Sequence, residues 1–433
     1  MALRKNVFVA ALALIGVLAL VSGVGAQPIE IDYWGVWGGV SFPVEMEIIE
    51  EFNRQYEGRI RVTGVEVPEG VDAKLATAVA GGAPPAVAKV DRFRVGSFAS
   101  AGLIQPIDDL IARDAYHFDQ HYPATREETI YNGRIYGIPW NTDNRAMYYH
   151  IGLFQEAGLD VNAPPRTWEE VNEVARRIDR WEPDGRLSQV GFVPSWGNWY
   201  FVAWLWAAGG DLLDETNRKV IWNSPEGVRA LQWMKDRLDY YGGVQALDAF
   251  GANFPRGAFL GERVGMMMDG SWALGSLKDL GIQQNFLVAN PPRPAGLEDT
   301  PITWSGGFAL AIPTGIRGEE RDAAWEFIKF YTDHWAQTTF GSRTGQIPSL
   351  RSAATSAEFL SIDPLIYKFV DLMAYSRFRP VIPAGGELWS QYTDQIHALL
   401  NAGQMPVEQI LDETARQAQI LLDEAWARAE GRL

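Results

Sequence analysis

The α/β architecture of this chain follows from residues 29–91, which read IEIDYWGVWGGVSFPVEMEIIEEFNRQYEGRIRVTGVEVPEGVDAKLATAVAGGAPPAVAKVD. The first five residues alternate between apolar and acidic side chains, which is typical of a β-strand. From Pro43 the apolar residues recur at helical spacing, and Ile60 begins a second strand. A helix over 72–79 stops at a Gly-Gly-Ala-Pro-Pro segment, and an apolar third strand follows. This βαβαβ order predicts a parallel sheet.

The loops that leave this sheet are the first candidates for a binding site. Ligands of open parallel sheets bind beyond the carboxyl ends of the strands. Here those ends are followed by residues 34–39, which include Trp37, and by residues 91–94, which include Asp91 and Arg92. We therefore expect ligand contacts at these two loops. An exposed Asp-Arg ion pair, worth under about 1 kcal/mol, is the alternative for the second loop.

Length and composition limit the classes of protein that the chain can represent. Its 433 residues exceed one ordinary core and predict two domains or one two-lobed domain. With 54 acidic against 38 basic residues the net charge is -16, which disfavours nucleic acid and anionic membranes because both attract basic surfaces. The lack of Cys excludes thiol catalysis, Cys-bound zinc, iron–sulfur clusters and disulfides.

The N-terminus has the three parts of a secretory signal peptide. Arg4 and Lys5 provide positive charge, residues 7–21 are almost wholly apolar, and residues 24–26, Val-Gly-Ala, form a small-residue cleavage site. A membrane anchor is the alternative, but the apolar run is shorter than the roughly 20 residues of a spanning helix. We expect cleavage after Ala26. Because no Cys follows for lipid attachment, we expect a soluble periplasmic protein.

Local patterns place further elements along the chain. Thr167 and Glu170 form a capping box at the start of a helix that extends to Ile178. Residues 266–268, three consecutive Met, indicate a buried strand. Pro406 introduces a long helix with one apolar face at the C-terminus.

Catalytic and metal-binding motifs do not emerge from the sequence. His117 and His121 are four residues apart but lack the Glu of a zinc-protease motif, so a pair at the surface is the better interpretation. The sequence has no Gly-x-Ser-x-Gly elbow, P-loop or dinucleotide glycine fingerprint. We expect neither a metal nor a cofactor. A secreted glycoside hydrolase stays open, because it needs only two carboxylates on a sugar cleft.

The 17 Trp suggest a class of ligand. Aromatic faces suit the apolar C–H faces of pyranose rings, while carboxylates and Arg satisfy sugar hydroxyls that burial would leave unpaired. Carbohydrate is therefore the ligand that the composition favours. Burial in the core is the alternative for any single Trp, because this residue is highly buried on average.

Several segments together carry a resemblance to a known family. The segments are YNGRIYGIPW at 131–140 with Tyr148-Tyr149, PPRTW at 164–168, GERVGM at 261–266 with DGSW at 269–272, WSGG at 304–307, and RPVIP at 379–383 with Trp389. In this order they resemble the extracellular solute-binding proteins, family 1, of the maltose/trehalose type that serve bacterial ABC sugar importers. The resemblance covers nearly all of the mature chain.

The resemblance implies a fold and a role. The fold is a two-lobed periplasmic-binding-protein fold of the type II-like kind, in which each lobe is a mainly parallel sheet flanked by helices. A carbohydrate is held in the cleft between the lobes. The role is that of a monomer without catalytic activity, which delivers the sugar to the permease subunits of an ABC importer in the inner membrane.

The resemblance also implies which residues bind the ligand. Asp91 and Arg92 match an Asp-Arg pair that contacts sugar hydroxyls in the maltose-binding branch, and Asp143 matches an acid beside the hinge. Aromatic positions of that branch are matched by Trp272, Trp389 and Trp199, and more loosely by Trp37 and by Trp304 with Gly306.

Two positions depart from the maltose-binding pattern. Ala88 stands where that branch has a stacking Trp, and Gly197 where it has a Glu. Both put a long maltodextrin in doubt and favour a smaller or a different glycan, with a disaccharide first. The roles of Arg343 and Arg379 stay open between hydrogen bonding to the ligand and bracing of the hinge. Glycerol-3-phosphate or a glycerophosphodiester is the alternative ligand within the same fold, since Arg can grip phosphate.

The chain is expected to cross between the lobes near residues 140–144, 305–307 and 340–345. Residues 1–26 precede both lobes as the signal peptide. The expected division is an N-terminal lobe of residues 27–140 plus 307–342 and a C-terminal lobe of residues 141–306 plus 343–433.

Overall fold

The computed structural model describes residues 27–36, 41–67, 71–251, 255–279 and 285–432. The predicted signal peptide and Trp37 lie outside the described residues. The strands are β1 (Ile29–Val36), β2 (Ile60–Val67), β3 (Val87–Asp91), β4 (Ile130–Tyr131), β5 (Arg134–Ile135), β6 (Ile138–Pro139), β7 (Asn141–Thr142), β8 (Arg145–His150), β9 (Arg180–Trp181), β10 (Leu187–Gln189), β11 (Met266–Gly270), β12 (Phe286–Ala289), β13 (Thr303–Trp304), β14 (Phe308–Ala311), β15 (Ile347–Pro348) and β16 (Ser376–Arg377). The helices are α1 (Phe42–Gln55), α2 (Val71–Ala80), α3 (Val95–Ser100), α4 (Asp108–Arg113), α5 (Pro123–Glu127), α6 (Ile151–Glu156), α7 (Trp168–Ile178), α8 (Phe201–Ala207), α9 (Pro225–Tyr240), α10 (Val244–Phe250), α11 (Pro255–Leu260), α12 (Trp272–Asp279), α13 (Gly318–Tyr331), α14 (His334–Thr344), α15 (Arg351–Ala354), α16 (Ala357–Leu360), α17 (Ile366–Leu372), α18 (Gly385–Ser390), α19 (Ile396–Ala402) and α20 (Val407–Ala429).

A five-stranded sheet forms the centre of the first lobe, in the order β2-β1-β3-β14-β6. β1 runs parallel to both β2 and β3, so the predicted βαβαβ unit is confirmed. β14 lies antiparallel to β3, with Phe308 opposite Asp91, and antiparallel to β6. This pairing brings a strand from late in the chain against the carboxyl end of β3, where a ligand is expected.

The sheet of the second lobe has β8 between β11 and β12, antiparallel to both. The prediction of a mainly parallel sheet is therefore wrong for this sheet, as far as its strands are described. β11 and β12 run parallel to each other, and α12 lies between them in the chain. They therefore resemble a β-α-β crossover unit, except that β8 lies between the two strands in the sheet. Periodicity identifies each strand but not its neighbours, which explains the error.

Each sheet has its own hydrophobic core. In the first lobe α1 and α13 pack against β1 through Tyr33, Phe52 and Phe327. The larger second core contains rings with centroids 4.6 to 5.9 Å apart, from Trp168, Trp204 and Trp233. For these three Trp the core interpretation holds. The lobe boundaries given above stay a prediction.

Several helices confirm local predictions. In the capping box of α7, Thr167 Oγ1 accepts the Glu170 N–H at 3.1 Å and Glu170 Oε2 accepts the Thr167 N–H at 3.1 Å. The three Met of β11 are buried, and α20 begins directly after Pro406. Residues 391–395, between α18 and α19, form a π-helical turn. Over the described residues, no helix combines the length and apolar character needed to span a lipid bilayer.

His121 is not at the surface, so the prediction for this member of the His117–His121 pair is wrong. Its ring is fully buried, and its two nitrogens lie 3.0 Å from Tyr116 Oη and 2.9 Å from Ser349 Oγ. Burial lowers the pKa of His121 to about 3, so the ring is neutral at neutral pH. The sequence did not reveal this environment because Ser349 is far away along the chain.

Candidate functional site

Three short segments meet between the two sheets, at a junction that we call the seam. β7 follows β6 of the first sheet, precedes β8 of the second, and pairs antiparallel with β15. Asp143 forms a bridge with Gly306, which lies between β13 and β14. Two of the expected crossings, near residues 140–144 and 305–307, fall in the seam. The third expected crossing, 340–345, lies at the end of α14, just before β15.

Four charged side chains at the seam form what we call the charge cluster: Asp91, Arg92, Glu128 and Arg379. Glu128 is fully buried and binds both guanidinium groups, with Oε2 3.0 Å from Arg92 Nε and Oε1 3.1 Å from Arg379 Nε. Arg379 Nη2 also donates to Asp91 Oδ1 at 3.2 Å. Two cations thus face two carboxylates, which offsets much of the cost of removing the charges from water.

Arg92 is 0% exposed, and its other donors go to backbone and hydroxyl groups of the seam. Nη1 donates to the Asn141 carbonyl at 2.5 Å, and Nη2 donates to Ser305 Oγ at 3.1 Å and to the Gly306 carbonyl. Gly307 leaves room for the guanidinium, because its φ is +118° and a Cβ there would lie 2.7 Å from Arg92 Nη1. We therefore correct the role of Arg92 from ligand contact to brace of the seam, since no part of it is exposed in this conformation.

A second charged pair, Asp143 with Arg145, also lies in the seam. Asp143 Oδ1 accepts the Gly306 N–H at 2.7 Å, and Arg145 Nε and Nη2 donate to Asn198 Oδ1 at 3.0 and 2.9 Å. Burial lowers the pKa of Arg145, against the opposing effect of Asp143. Gly306 is buried and acts through its backbone, so its expected ligand contact is replaced by the bond to Asp143.

Four aromatic rings beside these pairs form what we call the aromatic wall: Tyr200, Trp272, Trp304 and Trp389. Trp304 and Trp389 stack with centroids 5.4 Å apart and planes 21° from parallel. Tyr200 meets the two rings edge-on, at 6.2 and 5.7 Å. Arg145 lies over Trp304 at 3.9 Å and over Trp272 at 5.0 Å, so one guanidinium contacts two members of the wall.

The members of the aromatic wall differ in exposure. Trp304 is 2% exposed, whereas Tyr200, Trp272 and Trp389 are partly buried. Trp272 and Trp389 therefore keep ring surface that a ligand can cover. Trp304 supports Trp389 through the ring stack, which corrects its expected role from direct contact to support.

Arg379 joins the charge cluster to the aromatic wall. Its guanidinium lies 5.3 Å from the ring centroid of Trp389 and 5.5 Å from that of Trp304. Burial works against its charge, but the carboxylates of Glu128 and Asp91 raise the pKa of Arg379 above its usual value. Because Arg379 is buried and bonded to both carboxylates, bracing describes it better than ligand contact.

Asp91 is the member of the charge cluster with accessible surface, since 25% of its side chain is exposed. Burial of the surrounding site raises the pKa of Asp91 above its usual range, against the opposing effect of Arg379. A carboxylate has about four acceptor positions on two oxygens. While one oxygen holds Arg379, Asp91 can therefore still accept hydrogen bonds from ligand hydroxyls.

Two expected site residues, Trp199 and Arg343, lie outside the charge cluster, the Asp143–Arg145 pair with Gly306, and the aromatic wall. Trp199 is 1% exposed and packs in the second core, 5.4 Å from the ring centroid of Trp204, so its expected ligand contact is corrected to a core role. Arg343 is half-exposed and pairs with Glu47 of α1, so it joins two helices. Trp37 lies outside the described residues.

Sequence reasoning missed Glu128 and Tyr200. Tyr200 directly follows Trp199, and its backbone is extended, with φ −102° and ψ 176°. Neighbouring side chains of an extended backbone point to opposite sides, so Trp199 and Tyr200 cannot both face the site. The prediction chose Trp199, which is the buried one of the two. The alternation of side chains along this segment could have pointed to Tyr200 instead. Glu128 is the last residue of an Arg-Glu-Glu segment, a pattern typical of a solvent-exposed helix face. The neighbouring sequence therefore does not indicate that Glu128 is buried.

Comparison with known proteins identifies the family of the chain independently of the site geometry. The family model for bacterial extracellular solute-binding proteins matches residues 41–338. A maltotriose-binding protein of Pyrococcus abyssi is 25% identical, over 84% of this chain and 77% of the relative. The sn-glycerol-3-phosphate-binding periplasmic protein UgpB of Brucella melitensis is 27% identical, over 78% of each chain.

Solved structures show the same architecture. The crystal structure of a cyclic alpha-maltosyl-1,6-maltose binding protein from Arthrobacter globiformis matches with a TM-score of 0.74 at 26% identity. The match covers 92% of this chain and 100% of that chain. This likeness confirms the two-lobed α/β fold.

Proposed function

The chain belongs to the bacterial extracellular solute-binding proteins, and from this premise we propose that it is the substrate-binding component of an ABC carbohydrate importer. It captures a neutral mono- or oligosaccharide between its lobes and delivers it to the membrane permease. A disaccharide comes first among the ligands, because Ala88 and Gly197 replace the larger side chains of the maltose-binding pattern.

The observation that carries the choice of a neutral ligand is the charge balance of the seam. Three guanidinium groups are matched there by three carboxylates: Arg92, Arg145 and Arg379 by Asp91, Asp143 and Glu128. A phosphate ester, with a charge of about −1.5 to −2 near pH 7, would have to draw a cation away from its carboxylate. Sugar hydroxyls need no such exchange, because they both donate and accept hydrogen bonds.

The aromatic wall supports the same ligand class. Trp272 and Trp389 are both partly exposed, and aromatic side chains suit the apolar C–H faces of pyranose rings. Asp91 and Asp143 lie in the same site, and their carboxylates can accept hydrogen bonds from sugar hydroxyls. Stacking and charged acceptors together satisfy both the apolar and the polar surface of a sugar.

The glycerol-3-phosphate alternative has one specific observation in its favour, the 27% identity to UgpB of Brucella melitensis. A thermal-shift screen separates the two ligands, because a ligand bound only by the native state raises the apparent stability. The probes are glucose, maltose, trehalose, mannobiose, sn-glycerol-3-phosphate and glycerophosphocholine. We expect stabilisation by a sugar. Stabilisation by the two glycerophosphates alone would transfer the assignment to the phosphate branch.

A secreted glycoside hydrolase is the alternative from another class, and we propose that this protein lacks catalysis. Hydrolysis needs one carboxyl group held protonated as an acid, beside a second carboxylate. Asp143 Oδ1 accepts hydrogen bonds from Arg145 and from the Gly306 N–H, so that oxygen is engaged in the seam and is not free to act on a glycosidic oxygen. Incubation of the purified protein with the disaccharides of the screen should yield no product, and released monosaccharide would contradict the binding role.

Ligand contact with both lobes should bias an equilibrium between open and closed forms. X-ray scattering of the mature protein should therefore give a smaller radius of gyration with a saturating sugar. An unchanged radius with tightly bound sugar would count against closure around the seam.

We also propose that residues 1–26 are removed during export and that the mature protein is a periplasmic monomer. The intact mass of protein recovered from the periplasm should correspond to a chain that begins at Gln27. Light scattering after size exclusion should give the mass of one chain.

A further inference from the structure

A cavity of about 490 Å³ lies where α3 of the first lobe meets α18 and α20 of the second. We call it the interlobe pocket. Phe98 of α3 belongs to a hydrophobic cluster with Val90 of β3, whereas Ala425 of α20 belongs to the core of the second lobe. The described lining includes no member of the charge cluster or the aromatic wall. The volume lies within the range of about 300–1,000 Å³ that small-molecule sites occupy, so the pocket is a separate candidate site.

Each lobe contributes one guanidinium group to the lining. Arg94 comes from the segment before α3, and Arg428 from the last turn of α20. Glu387, which is exposed, is the one carboxylate in the described lining. Arg428 also lies 3.6 Å from Glu424, but both side chains are about half-exposed, so water screens this pair. The pocket therefore has a positive lining on a chain whose net charge is -16.

The Arg94 guanidinium reaches across to the second lobe. A Cβ added at Gly386 of α18 would lie 3.2 Å from Arg94 Nη1, so the glycine leaves room for the guanidinium. Burial lowers the pKa of Arg94, as does the charge of Arg379, against the effect of Glu387. A bound anion would add to the effect of Glu387 and favour the charged form. The planar donors of Arg suit a carboxylate, which they can bind through two parallel hydrogen bonds.

Hydroxyl groups and apolar side chains complete the lining. Ser97 Oγ has no hydrogen-bond partner among the residues that the structure describes, and a rotation of this side chain would offer the hydroxyl to a ligand. Ser100 Oγ donates to the Ser97 carbonyl at 2.9 Å and can still accept a hydrogen bond. Phe98, Leu103 and Pro383 supply apolar surface. This combination suits a ligand with an anionic group and a short apolar body.

We propose that the interlobe pocket binds a small organic acid, whose carboxylate contacts Arg94 and Arg428 and whose apolar body packs against Phe98 and Leu103. The two guanidinium groups come from different lobes, so the bound acid holds the lobes in the arrangement described here. The acid site itself is independent of the proposed carbohydrate-binding function. Its effect on sugar binding rests on that function.

The expected effect on sugar binding is a loss of affinity. In the arrangement described here, Trp272 and Trp389 keep exposed surface, so the sugar site is accessible. An acid that favours this arrangement over the closed one weakens sugar binding, and the sugar weakens acid binding by the same factor. The two sites are also in physical contact, because Arg94 lies 4.8 Å from the ring centroid of Phe93, and that ring lies 5.4 Å from Trp389.

The first test measures acid binding to the mature protein by titration calorimetry at constant ionic strength. The probes are benzoate, benzamide, which has the same ring without the charge, and acetate, which has the charge without the ring. We expect benzoate to bind at least about tenfold more tightly than either control, because it alone uses both parts of the lining. Equal binding of benzoate and benzamide would overturn the proposal, and so would equal binding of benzoate and acetate or no binding of benzoate.

The second test uses variants of the two guanidinium groups. Arg94→Gln should weaken benzoate about tenfold, and Arg428→Gln at least about threefold. Arg428 is exposed, so its variant keeps the test valid should Arg94→Gln fail to fold. The matched control is Arg416→Gln, which removes the same charge from the exposed face of α20 outside the pocket. Benzoate affinities within twofold of the parent in the folded pocket variants would overturn the site.

The third test measures the affinity for the best sugar of the screen with and without saturating benzoate. We expect at least about a threefold loss of sugar affinity in the parent and no loss in Arg94→Gln. An unchanged sugar affinity in the parent would overturn the effect on sugar binding and leave the acid site in place. Binding of no sugar at all would overturn the proposed function and this effect with it, whereas benzoate binding would still stand.

Discussion

The charge cluster and the aromatic wall adjoin at the seam, yet they are built on opposite principles. In the cluster, Arg92, Glu128 and Arg379 are buried and satisfy one another, so the loss of one leaves an uncompensated charge. In the wall, Trp272 and Trp389 keep exposed ring surface. We therefore expect the loss of a cluster residue to lower folding stability, and the loss of an exposed wall residue to lower ligand affinity.

The largest effect should come from breaking the charge cluster with Glu128→Gln. Two buried guanidinium groups lose their shared carboxylate, and breaking a buried pair costs about 3–5 kcal/mol. Urea unfolding should show this loss. The matched control is Glu127→Gln, because Glu127 is its exposed neighbour. If Glu128→Gln lowered the free energy of unfolding by less than about 1 kcal/mol, the charge cluster would not have the role in folding stability that separates it from the aromatic wall.

The two stacked rings of the aromatic wall, Trp304 and Trp389, should differ in what their removal affects. Trp304→Ala leaves a cavity in a buried site and should cost about 3–5 kcal/mol of folding stability. Trp389→Ala should cost less stability but weaken sugar binding by about tenfold or more, as should Trp272→Ala. The measurements are urea unfolding and calorimetry on the same samples. Retained affinity with lost stability in Trp389→Ala would place that ring with the core.

Asp91→Asn tests the boundary between the two groups, because Asp91 belongs to the cluster but is partly exposed. We expect sugar affinity to fall about tenfold through the loss of a charged acceptor. The pKa of Asp91 is raised in the folded protein, so its contribution to stability is present below its unfolded pKa of about 4 and is lost as the pH rises through the folded pKa.

Asn has no such titration. The variant should therefore have a flatter dependence of stability on pH just above pH 4, with a free energy of unfolding at pH 7 within about 1 kcal/mol of the parent. Unfolding midpoints measured from pH 4 to pH 7 provide the check. A large loss of stability at pH 7 would place Asp91 with its buried neighbours.

The smallest effect is expected for Arg343→Ala. Arg343 and Glu47 are both half-exposed, and such surface pairs contribute at most about 1 kcal/mol. Stability should change by less than about 1 kcal/mol, and sugar affinity by less than twofold. A clear loss of affinity in calorimetry would return Arg343 to the ligand site.

Much of the first lobe could be predicted from sequence because its strands and helices follow one another locally. The alternation from Ile29 and the helical spacing after Pro43 each report on a single element. The antiparallel position of β8 could not be predicted, because it depends on which strands meet across more than a hundred residues. The same limit applies to His121, whose burial depends on Ser349.

The candidate site was only partly predictable for a related reason. Family motifs led to Trp272, Trp389, Asp91 and Asp143, since these residues stand in recognisable local sequences. Motifs do not tell whether a side chain faces a ligand or the interior, and Arg92 and Trp199 are buried. Glu128 lay beyond local reasoning altogether, because its two partners are 36 and 251 positions away.

The π-helical turn at residues 391–395 sets the direction in which His397 points relative to Trp389. In an uninterrupted α-helix, with about 100° per residue, His397 would point about 80° away from Trp389. The additional residue in the turn sets the following helix back by about 100°, which brings the two side chains within about 20°. Both rings accordingly meet Tyr200, at 5.7 Å for Trp389 and 6.0 Å for His397. A single inserted residue thus acts as a phase shift that aligns two separate parts of one helix on the same aromatic side chain, Tyr200.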